Sequence, residues 1–401
     1  MRRRTFALLI LAVLFGLDLS GREPIKSPPA IQPKIVRARD LGIPFEGTPG
    51  KLNAITDVPG VEVGYTTLIS GEGKLEVGEG PVRTGVTAIL PRGHASFNDP
   101  VYAGFFSLNG NGEMTGTAWV DESGFLEGPI VITNTHSVGV ARDAVIAWRV
   151  KQGTGSQDLW SLPVVAETWD GWLNDINGFH VKPEDVWHAL DTAHSGAVEE
   201  GGVGGGTGMI CYEFKGGNGT SSRVVSVAVA GAGDPGKQKV SRAYTVGVFL
   251  QANFGRRPQL IIAGVPVGQK IPGQVYKQEN GSCIAVVATD APLLPNQLKR
   301  LARRVSLGLA RTGTISGNSS GDLFIAFSTA NPNVASADQI THDVQTIPND
   351  LMDPLFAGVV QATEEAVVNA LIDNHSMIGR DNHRVEALPH DRLREIMRRF
   401  H

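Results

Sequence analysis

The sequence predicts a layered α+β fold in which helices cover a pair of packed β-sheets. Strand-like and helix-like segments occur in runs rather than in strict β-α-β alternation, which favours this class over a doubly wound fold. Glycine is abundant, with 49 residues beside 23 prolines, as expected for many turns and close backbone contacts. No composition break follows residue 40, so we expect one large domain.

Strands are predicted where short apolar segments lie between turn residues. These segments are 52–68, 82–91, 129–134, 163–167, 224–232, 244–251, 258–264, 284–289 and 322–328. Helices are predicted where apolar residues recur at helical spacing, over 136–150, 182–195, 293–312, 352–373 and 391–400. The segment 104–120 mixes small, polar and apolar residues, and its repeated glycines indicate close backbone packing.

The N-terminus has the pattern of a secretory signal peptide, residues 1–21, with three arginines before a short apolar segment. That segment is too short for a comfortable membrane span, and an uncleaved anchor is the alternative. No later segment is expected to span a membrane, so we expect an exported, periplasmic protein without stable membrane insertion. Residues 22–40 contain four prolines and are predicted to form an extended leader.

The charge and the cysteine and histidine patterns exclude several function classes. The net charge is −4, with no basic block in the body of the chain, so nucleic acid is not an expected partner. Cys211 and Cys283 are expected to be buried thiols rather than a disulfide scaffold. The ten histidines form no H-E-x-x-H, and there is no C-x-x-C, so no metal site is predicted. A glycosidase pair of carboxylates has no local signature and stays open.

Two glycine-rich segments and one serine motif partly match known functional motifs. Segments 201–208 and 215–223 lack the phosphate-binding patterns and are predicted to be flexible turns around short strands. Residues 317–321 match G-x-S-x-G, but a strand follows them where a nucleophile elbow needs a preceding strand and a following helix. The hydroxyl residues beside Asp322 remain a candidate site.

A polar turn at 279–281 leads directly into an apolar, β-branched segment that begins at Ser282. If the chain were cut before Ser282, one residue would carry a hydroxyl and a free α-amine, whose pKa is about 7.7–8.0 in peptides. That amine could act as general base for its own hydroxyl. The alternative is a plain β-hairpin, since Asn-Gly is a strong hairpin signal.

The chain resembles the family that contains L-aminopeptidase D-Ala-esterase/amidase (DmpA-like) and the β-peptidyl aminopeptidases, from about residue 40 onward. Each matching block is weak alone, and together they are specific. The blocks are NAITDVPGVEVGYTTL, GPVRTGVTAILPRG, LNGNGEMTGTAWVDESG, GPIVITNTHSVG, PVVAETWDGWLNDING, VGGGTGMICYEFKGGNGTSSR, VGVFLQANFG, NGSCIAVVATDAPLL, SGNSSGDLFIAFSTAN and MDPLFAGVVQATEEAVVNAL.

The resemblance implies a precursor that cuts itself between Gly281 and Ser282. A single catalytic domain, 22–401, would thereby give an α-chain, 22–281, and a β-chain, 282–401. It also implies a four-layer αββα sandwich that resembles the N-terminal-nucleophile hydrolases with different connectivity.

The resemblance assigns catalytic roles to four residues. Ser282 matches the nucleophile, Asn253 the amide that stabilises the oxyanion, and Ser320 a second serine that relays protons. Asp322 stands where the β-aminopeptidases tend to carry Glu, so its role transfers less directly. Read singly, Asn253 and Asp322 are also compatible with ordinary turn residues.

Two further residues match the substrate-binding part of the family pattern. Glu167 matches the carboxylate that holds the substrate's free amine, although alone it is also compatible with a surface charge at a strand end. Trp169 stands where the DmpA-like enzyme has tyrosine, and this difference favours the β-aminopeptidases.

These matches predict a self-processing serine aminopeptidase that forms an acyl-enzyme and needs no metal or organic cofactor. Its expected substrates are short peptides or amino-acid amides that begin with β-amino acids or small L-residues. An L-aminopeptidase with D-Ala-esterase/amidase activity is the alternative, and an unprocessed, non-catalytic binding protein is the alternative of another class. We also expect a homo-oligomer of αβ units, a tetramer.

Overall fold

A computed structural model describes residues 36–153, 158–229, 240–273 and 281–400. The predicted signal peptide and residues 22–35 of the predicted leader lie outside the described residues. Residues 36–40 are not extended, because a 3-10 helix, Ala38–Leu41, packs onto the domain. Arg39 forms an ion pair with the buried Glu365 at 2.8 Å, so this part of the chain belongs to the folded domain.

Ten of the described strands form two sheets. The larger sheet has the order β4-β3-β12-β11-β10-β9 and the smaller has the order β1-β2-β5-β6. Two short pairs, β7 with β8 and β13 with β14, are separate. The strands are β1 (Glu62–Ser70), β2 (Val82–Leu90), β3 (Val101–Gly110), β4 (Phe125–Leu126), β5 (Ile130–Asn134), β6 (Val164–Thr168), β7 (Ile210–Cys211), β8 (Phe214–Lys215), β9 (Gly217–Val229), β10 (Val240–Asn253), β11 (Ser282–Thr289), β12 (Gly321–Ser328), β13 (Met377–Ile378) and β14 (Arg384–Val385).

The part of the chain that the structure describes contains six α-helices. They are α1 (Thr117–Ser123), α2 (Val138–Gln152), α3 (Pro183–Asp191), α4 (Pro295–Arg311), α5 (Asp353–Ile372) and α6 (His390–Arg398). Helices α2 and α3 cover the outer face of the smaller sheet, and α4 and α5 cover that of the larger one. Helix α6 contributes to the core beneath α4 and α5, and α1 lies beside β3 and β4. Prolines near the starts of α3, α4 and α5 suit the first helical turn, where a missing N–H is harmless.

Three hydrophobic core layers lie between the four layers of helices and sheets. The central strand β11 is buried on both faces, which explains why its segment is continuously apolar. Ile284 and Val286 point into the core between the two sheets. Ala285 and Val287 point into the core beneath the helices of the larger sheet. Because both faces of β11 are buried, every position is apolar or small, as predicted for a central strand. The predicted α+β class and the αββα layering are both confirmed.

Three local predictions were wrong. Segment 258–264 is not a strand but a 3-10 turn, Arg257–Gln259, followed by buried loop residues that fill the core beneath the helices. The part of 52–68 before Glu62 contains a 3-10 turn, Ile55–Asp57. The glycine-rich segment 215–223 is largely the start of the long strand β9.

Glycine serves close packing in that strand. A Cβ at Gly219 would overlap the carbonyl oxygen of Ala366 in α5, so the helix can lie on β9 only without a side chain there. The segment 201–208 likewise forms a buried 3-10 turn, Gly204–Gly206, against both sheets.

Helix α5 is long and apolar enough to cross a membrane by length and composition, which the sequence analysis did not predict. It lies instead in the core, against β9, β10 and α4. Cys211 and Cys283 are both buried thiols, as predicted.

Candidate active site

Ser282 lies at the first position of β11, and strand pairing places two other candidate residues beside it. Asn253, the last residue of β10, is its direct partner on the antiparallel side. Gly321, the first residue of β12, is its partner on the parallel side. Ser282 is only 4% exposed. Three segments that are far apart in sequence therefore meet where the neighbouring strands β10, β11 and β12 of the larger sheet begin or end.

The side-chain amide of Asn253 is held at both ends. Its Nδ2 donates to the carbonyl oxygen of Trp169 at 2.8 Å. Its Oδ1 accepts from the backbone N–H of Ile210, also at 2.8 Å. The orientation of the amide is therefore fixed by two backbone groups, and the second hydrogen on Nδ2 has no partner among the described residues. Asn253 is part of the sheet rather than an isolated turn residue.

Ser320 and Asp322 form a buried pair on either side of Gly321, the strand partner of Ser282. Ser320 Oγ donates to Asp322 Oδ1 at 2.8 Å, and the two residues are 0% and 2% exposed. Asp322 lies on β12, so the alternative of a turn carboxylate was wrong. The segment before the motif Gly317–Gly321 is a loop rather than a strand, which agrees with the interpretation that the motif is not a nucleophile elbow.

The turn that carries Ser320 is fixed by two asparagines at the end of β3, Asn109 within the strand and Asn111 just after it. Asn109 Nδ2 donates to the carbonyl oxygen of Gly317 at 2.6 Å. Asn111 Nδ2 donates to the carbonyl oxygen of Ser319 at 2.7 Å. The NGN sequence at 109–111 therefore positions the serine turn.

Glu167 is a buried carboxylate with two hydrogen-bond donors. It lies on β6 and is 2% exposed, so the alternative of a surface charge was wrong. Thr135 Oγ1 donates to Oε2 at 2.5 Å, and the backbone N–H of Glu113 donates to Oε1 at 2.9 Å. Burial raises the pKa of Glu167 above its ordinary value, although the bonds from Thr135 and Glu113 oppose the shift.

A cavity of about 400 Å³ connects several of these groups. Its wall includes four predicted site residues: Gly281, Ser282, Glu167 and Trp169. The other lining residues are Asn111, Gly112, Glu113, Thr135 and Ser319. Asn253, Ser320 and Asp322 are not among the lining residues and lie on, or next to, the two strands that flank Ser282. The cavity can therefore hold a small molecule between a serine hydroxyl and a buried carboxylate.

The sequence analysis missed Thr135 and Glu113 as partners of Glu167. Thr135 directly follows β5, which is parallel to β6 and pairs Thr133 with Glu167. The carboxyl ends of adjacent parallel strands lie at one edge of a sheet, so the polar residues after PIVITN were an available signal. Within the described ranges, no group of three or more His, Cys, Asp or Glu residues could hold a metal ion.

Comparisons with known proteins identify the family of this chain. The model of Peptidase family S58 matches residues 53–385. A β-peptidyl aminopeptidase of Sphingosinicella microcystinivorans is 50% identical over 405 residues, with 97% of this chain and 96% of the relative covered.

The chain is also similar to solved structures over most of its length. A Burkholderia sp. β-aminopeptidase has a TM-score of 0.81 at 47% identity, covering 91% of this chain and 99% of the other. The L-aminopeptidase D-Ala-esterase/amidase of Ochrobactrum anthropi, described as a variant of the Ntn hydrolase fold, has a TM-score of 0.81 at 49% identity, covering 91% and 98%. The chain therefore belongs to peptidase family S58 and is a hydrolase of the aminopeptidase class.

Proposed function

We propose that this chain is a self-processing serine aminopeptidase that acts on short peptides and amino-acid amides with a free N-terminus. The observation that carries the proposal is that Ser282, the residue after the expected cut, lines the same cavity as the buried carboxylate of Glu167. A substrate bound by its amine at Glu167 can present its first carbonyl to Ser282.

Each neighbouring group has a chemical role in this proposal. Ser282 Oγ attacks the carbonyl carbon and forms an acyl-enzyme, and the α-amine released by the cut takes the hydroxyl proton. The free hydrogen of the Asn253 amide donates to the oxyanion, a contribution that typically amounts to about 10²–10³ in rate. Ser320 and Asp322 relay protons next to the nucleophile, as their 2.8 Å hydrogen bond permits.

Glu167 explains why a free N-terminus is required. A substrate ammonium near a buried carboxylate forms a charge-assisted hydrogen bond, which an internal peptide bond cannot do. An acylated N-terminus would leave the Glu167 charge buried without a cation, which is unfavourable.

The leading substrates are those with N-terminal β-amino acids, with small L-residues also accepted. Overall identity does not separate the two activities, because the Sphingosinicella and Ochrobactrum relatives are 50% and 49% identical to this chain. Trp169, which lines the cavity, supports the β-aminopeptidase assignment. We also propose export to the periplasm and assembly into an oligomer of αβ units, and these rest on the N-terminal pattern and the family resemblance.

N-terminal sequencing of the purified mature protein tests the proposal directly. We expect two chains, one of which begins at Ser282, while Ser282→Ala remains one inactive chain. Ser282→Cys should cut slowly, because a thiolate is also nucleophilic. An intact chain that hydrolyses amides would contradict self-processing, and one uncut, inactive wild-type band would support the non-catalytic binding protein.

A further inference from the structure

We propose that the backbone N–H of Gly321 stabilises the oxyanion when the chain cuts itself, and that the Asn253 side chain does not serve this step. The inference rests on the proposed self-cleavage between Gly281 and Ser282. Gly321 would then supply the hydrogen-bond donor for self-cleavage, whereas Asn253 supplies the donor for the hydrolysis of external substrates.

The geometry of the uncut chain already contains this contact. Gly321 N–H donates to the carbonyl oxygen of Gly281 at 3.3 Å. This is the carbonyl that would be attacked. The bond follows from the parallel pairing of Ser282 with Gly321, so it is part of the sheet ladder rather than a chance contact. Such bonds are often long before reaction and tighten as negative charge develops on the oxygen.

The side chain of Asn253 makes no hydrogen bond to this carbonyl in the same state, although one of its two Nδ2 hydrogens has no partner among the described residues. Among the described residues, its amide contacts the carbonyl of Trp169 and the N–H of Ile210, and it makes no hydrogen bond to Gly281. The carbonyl of the expected cleavage site is therefore polarised by a main-chain donor and not by this side chain.

Glycine is required at both positions by the close approach of neighbouring strands. A Cβ on Gly321 would overlap the carbonyl oxygen of Asn111, and a Cβ on Gly281 would overlap the carbonyl oxygen of Asn253. Gly321 also pairs with Gly110 of β3 on its other side. The donor is thus held between two strands before the reaction begins, and it needs no reorganisation during the step.

The chemical step balances with groups on this chain and water. Ser282 Oγ forms a bond to the Gly281 carbonyl carbon, and the negative charge on the carbonyl oxygen is held by the Gly321 N–H. The bond between Gly281 carbon and Ser282 nitrogen then breaks, and the hydroxyl proton ends on that nitrogen. Water hydrolyses the resulting ester, which leaves a Gly281 carboxylate and restores the Ser282 hydroxyl.

The test removes this N–H without adding atoms. Glycolic acid replaces Gly321 in cell-free translation of the full chain, which converts one amide to an ester. The matched control places the hydroxy analogue of leucine at Leu323 and so removes another N–H from β12. The cut is followed by gel and intact mass. We expect the ester at 321 to cut at least about tenfold more slowly than the ester at 323, since one oxyanion donor typically contributes about 10²–10³.

A second variant keeps the test decisive if the first ester misfolds. Asn253→Ala should cut within about threefold of the wild-type rate, and its mature form should hydrolyse β-alanyl p-nitroanilide about 10²–10³ more slowly. Equal cutting by the two esters, or loss of cutting in Asn253→Ala, overturns this inference alone. A wild-type chain that never cuts overturns the proposed self-processing as well.

Discussion

Asn253 and Ser282 are direct cross-strand partners at the point where β10 ends and β11 begins. The candidate site is therefore built from strand register rather than from loops. A slip of one residue would turn the Ser282 side chain to the opposite face of the sheet and separate it from the cavity. In the proposed self-cleavage, the larger sheet must consequently be complete before the cut, so that only correctly folded chains would be processed.

Glu167→Gln should separate processing from peptide hydrolysis. The junction before Ser282 presents no free amine, so the variant should still cut into two chains. Hydrolysis of β-alanyl and L-alanyl p-nitroanilide should fall by about 10- to 10²-fold in kcat/KM, because a hydrogen bond to a charged group contributes about 1.5–3 kcal/mol. Glu113→Gln is the matched control, since Glu113 lines the same cavity and keeps its backbone hydrogen bond to Glu167 in the variant. Its carboxylate acts on Glu167 only by raising the pKa of that residue.

The same experiment includes an N-acetylated substrate. Wild-type enzyme should reject N-acetyl-alanyl p-nitroanilide, because no ammonium is present to pair with Glu167. Cleavage as fast as that of the free amine would show that Glu167 does not bind the amine, and the aminopeptidase assignment would then fail for this site.

The pH dependence of kcat/KM should reveal the raised pKa of Glu167. The carboxylate must be ionised to bind an ammonium, so activity should fall as pH drops through a pKa that burial holds above the ordinary 4.5. The α-amine of Ser282 adds its own acidic decline, which both proteins share. The ratio of wild-type to Glu167→Gln activity isolates the Glu167 contribution, and a ratio that is constant between pH 4.5 and 8 would contradict the prediction.

The predictable parts of this fold are those that local patterns determine. Segment 284–289 is apolar throughout because both faces of β11 are buried, and the sequence alone indicates this. Segment 215–223 was misread because glycine locally favours turns, whereas the contact of Gly219 with α5 makes it a strand. Segment 258–264 has a strand-like composition but fills the core as a loop, and an apolar segment of that length does not distinguish the two.

The site residues also divide into those that the local sequence reveals and those that depend on long-range pairing or on backbone groups. The family pattern supplied Ser282, Asn253 and Glu167 because their roles in the proposed reaction belong to their side chains, which the sequence shows. Thr135 could be identified as a partner of Glu167 only by knowing that β5 and β6 are parallel neighbours, which depends on long-range pairing. The contribution of Glu113 comes from its backbone N–H, and residue type gives no sign of such a contact.

Ser320→Ala should lower kcat with little change in KM. Its hydroxyl donates to Asp322 in a buried pair beside the nucleophile, and positioned proton transfer typically contributes about 10²–10⁴ in rate. Ser328→Ala is the matched control, because Ser328 is equally buried at the far end of β12, the strand that Ser320 precedes, and donates to the Ala291 carbonyl at 2.6 Å. Equal kcat values in the two variants would remove Ser320 from the mechanism.

Asp170→Asn should reduce the decrease in the free energy of unfolding that occurs as pH rises to neutral. Burial raises the pKa of Asp170 from 3.8 to about 7, so folding favours the protonated form. Its stabilising effect is complete below pH 3.8 and is lost as pH rises through about 7. Urea unfolding at pH 5 and 8 should show a smaller decline for the variant than for wild type. The exposed Asp338→Asn serves as control and should follow wild type.

Gly171 should control the position of the Trp169 indole and, through it, substrate choice. A Cβ on Gly171 would lie 2.7 Å from indole carbons Cε2 and Cζ2, which is closer than real contacts allow. Gly171→Ala should therefore displace the indole, which lines the cavity, while self-processing continues.

The measurement is the ratio of kcat/KM for β-alanyl to that for L-alanyl p-nitroanilide. We expect wild type to favour the β-alanyl substrate, and Trp169→Tyr and Gly171→Ala to lower the ratio by about tenfold, the scale on which pocket contacts discriminate. Gly139→Ala is the control, because a Cβ there meets no other atom within 4 Å. A wild type that prefers L-alanyl would place this chain with the L-aminopeptidases. An unchanged ratio in both variants would show that the indole does not select the substrate backbone.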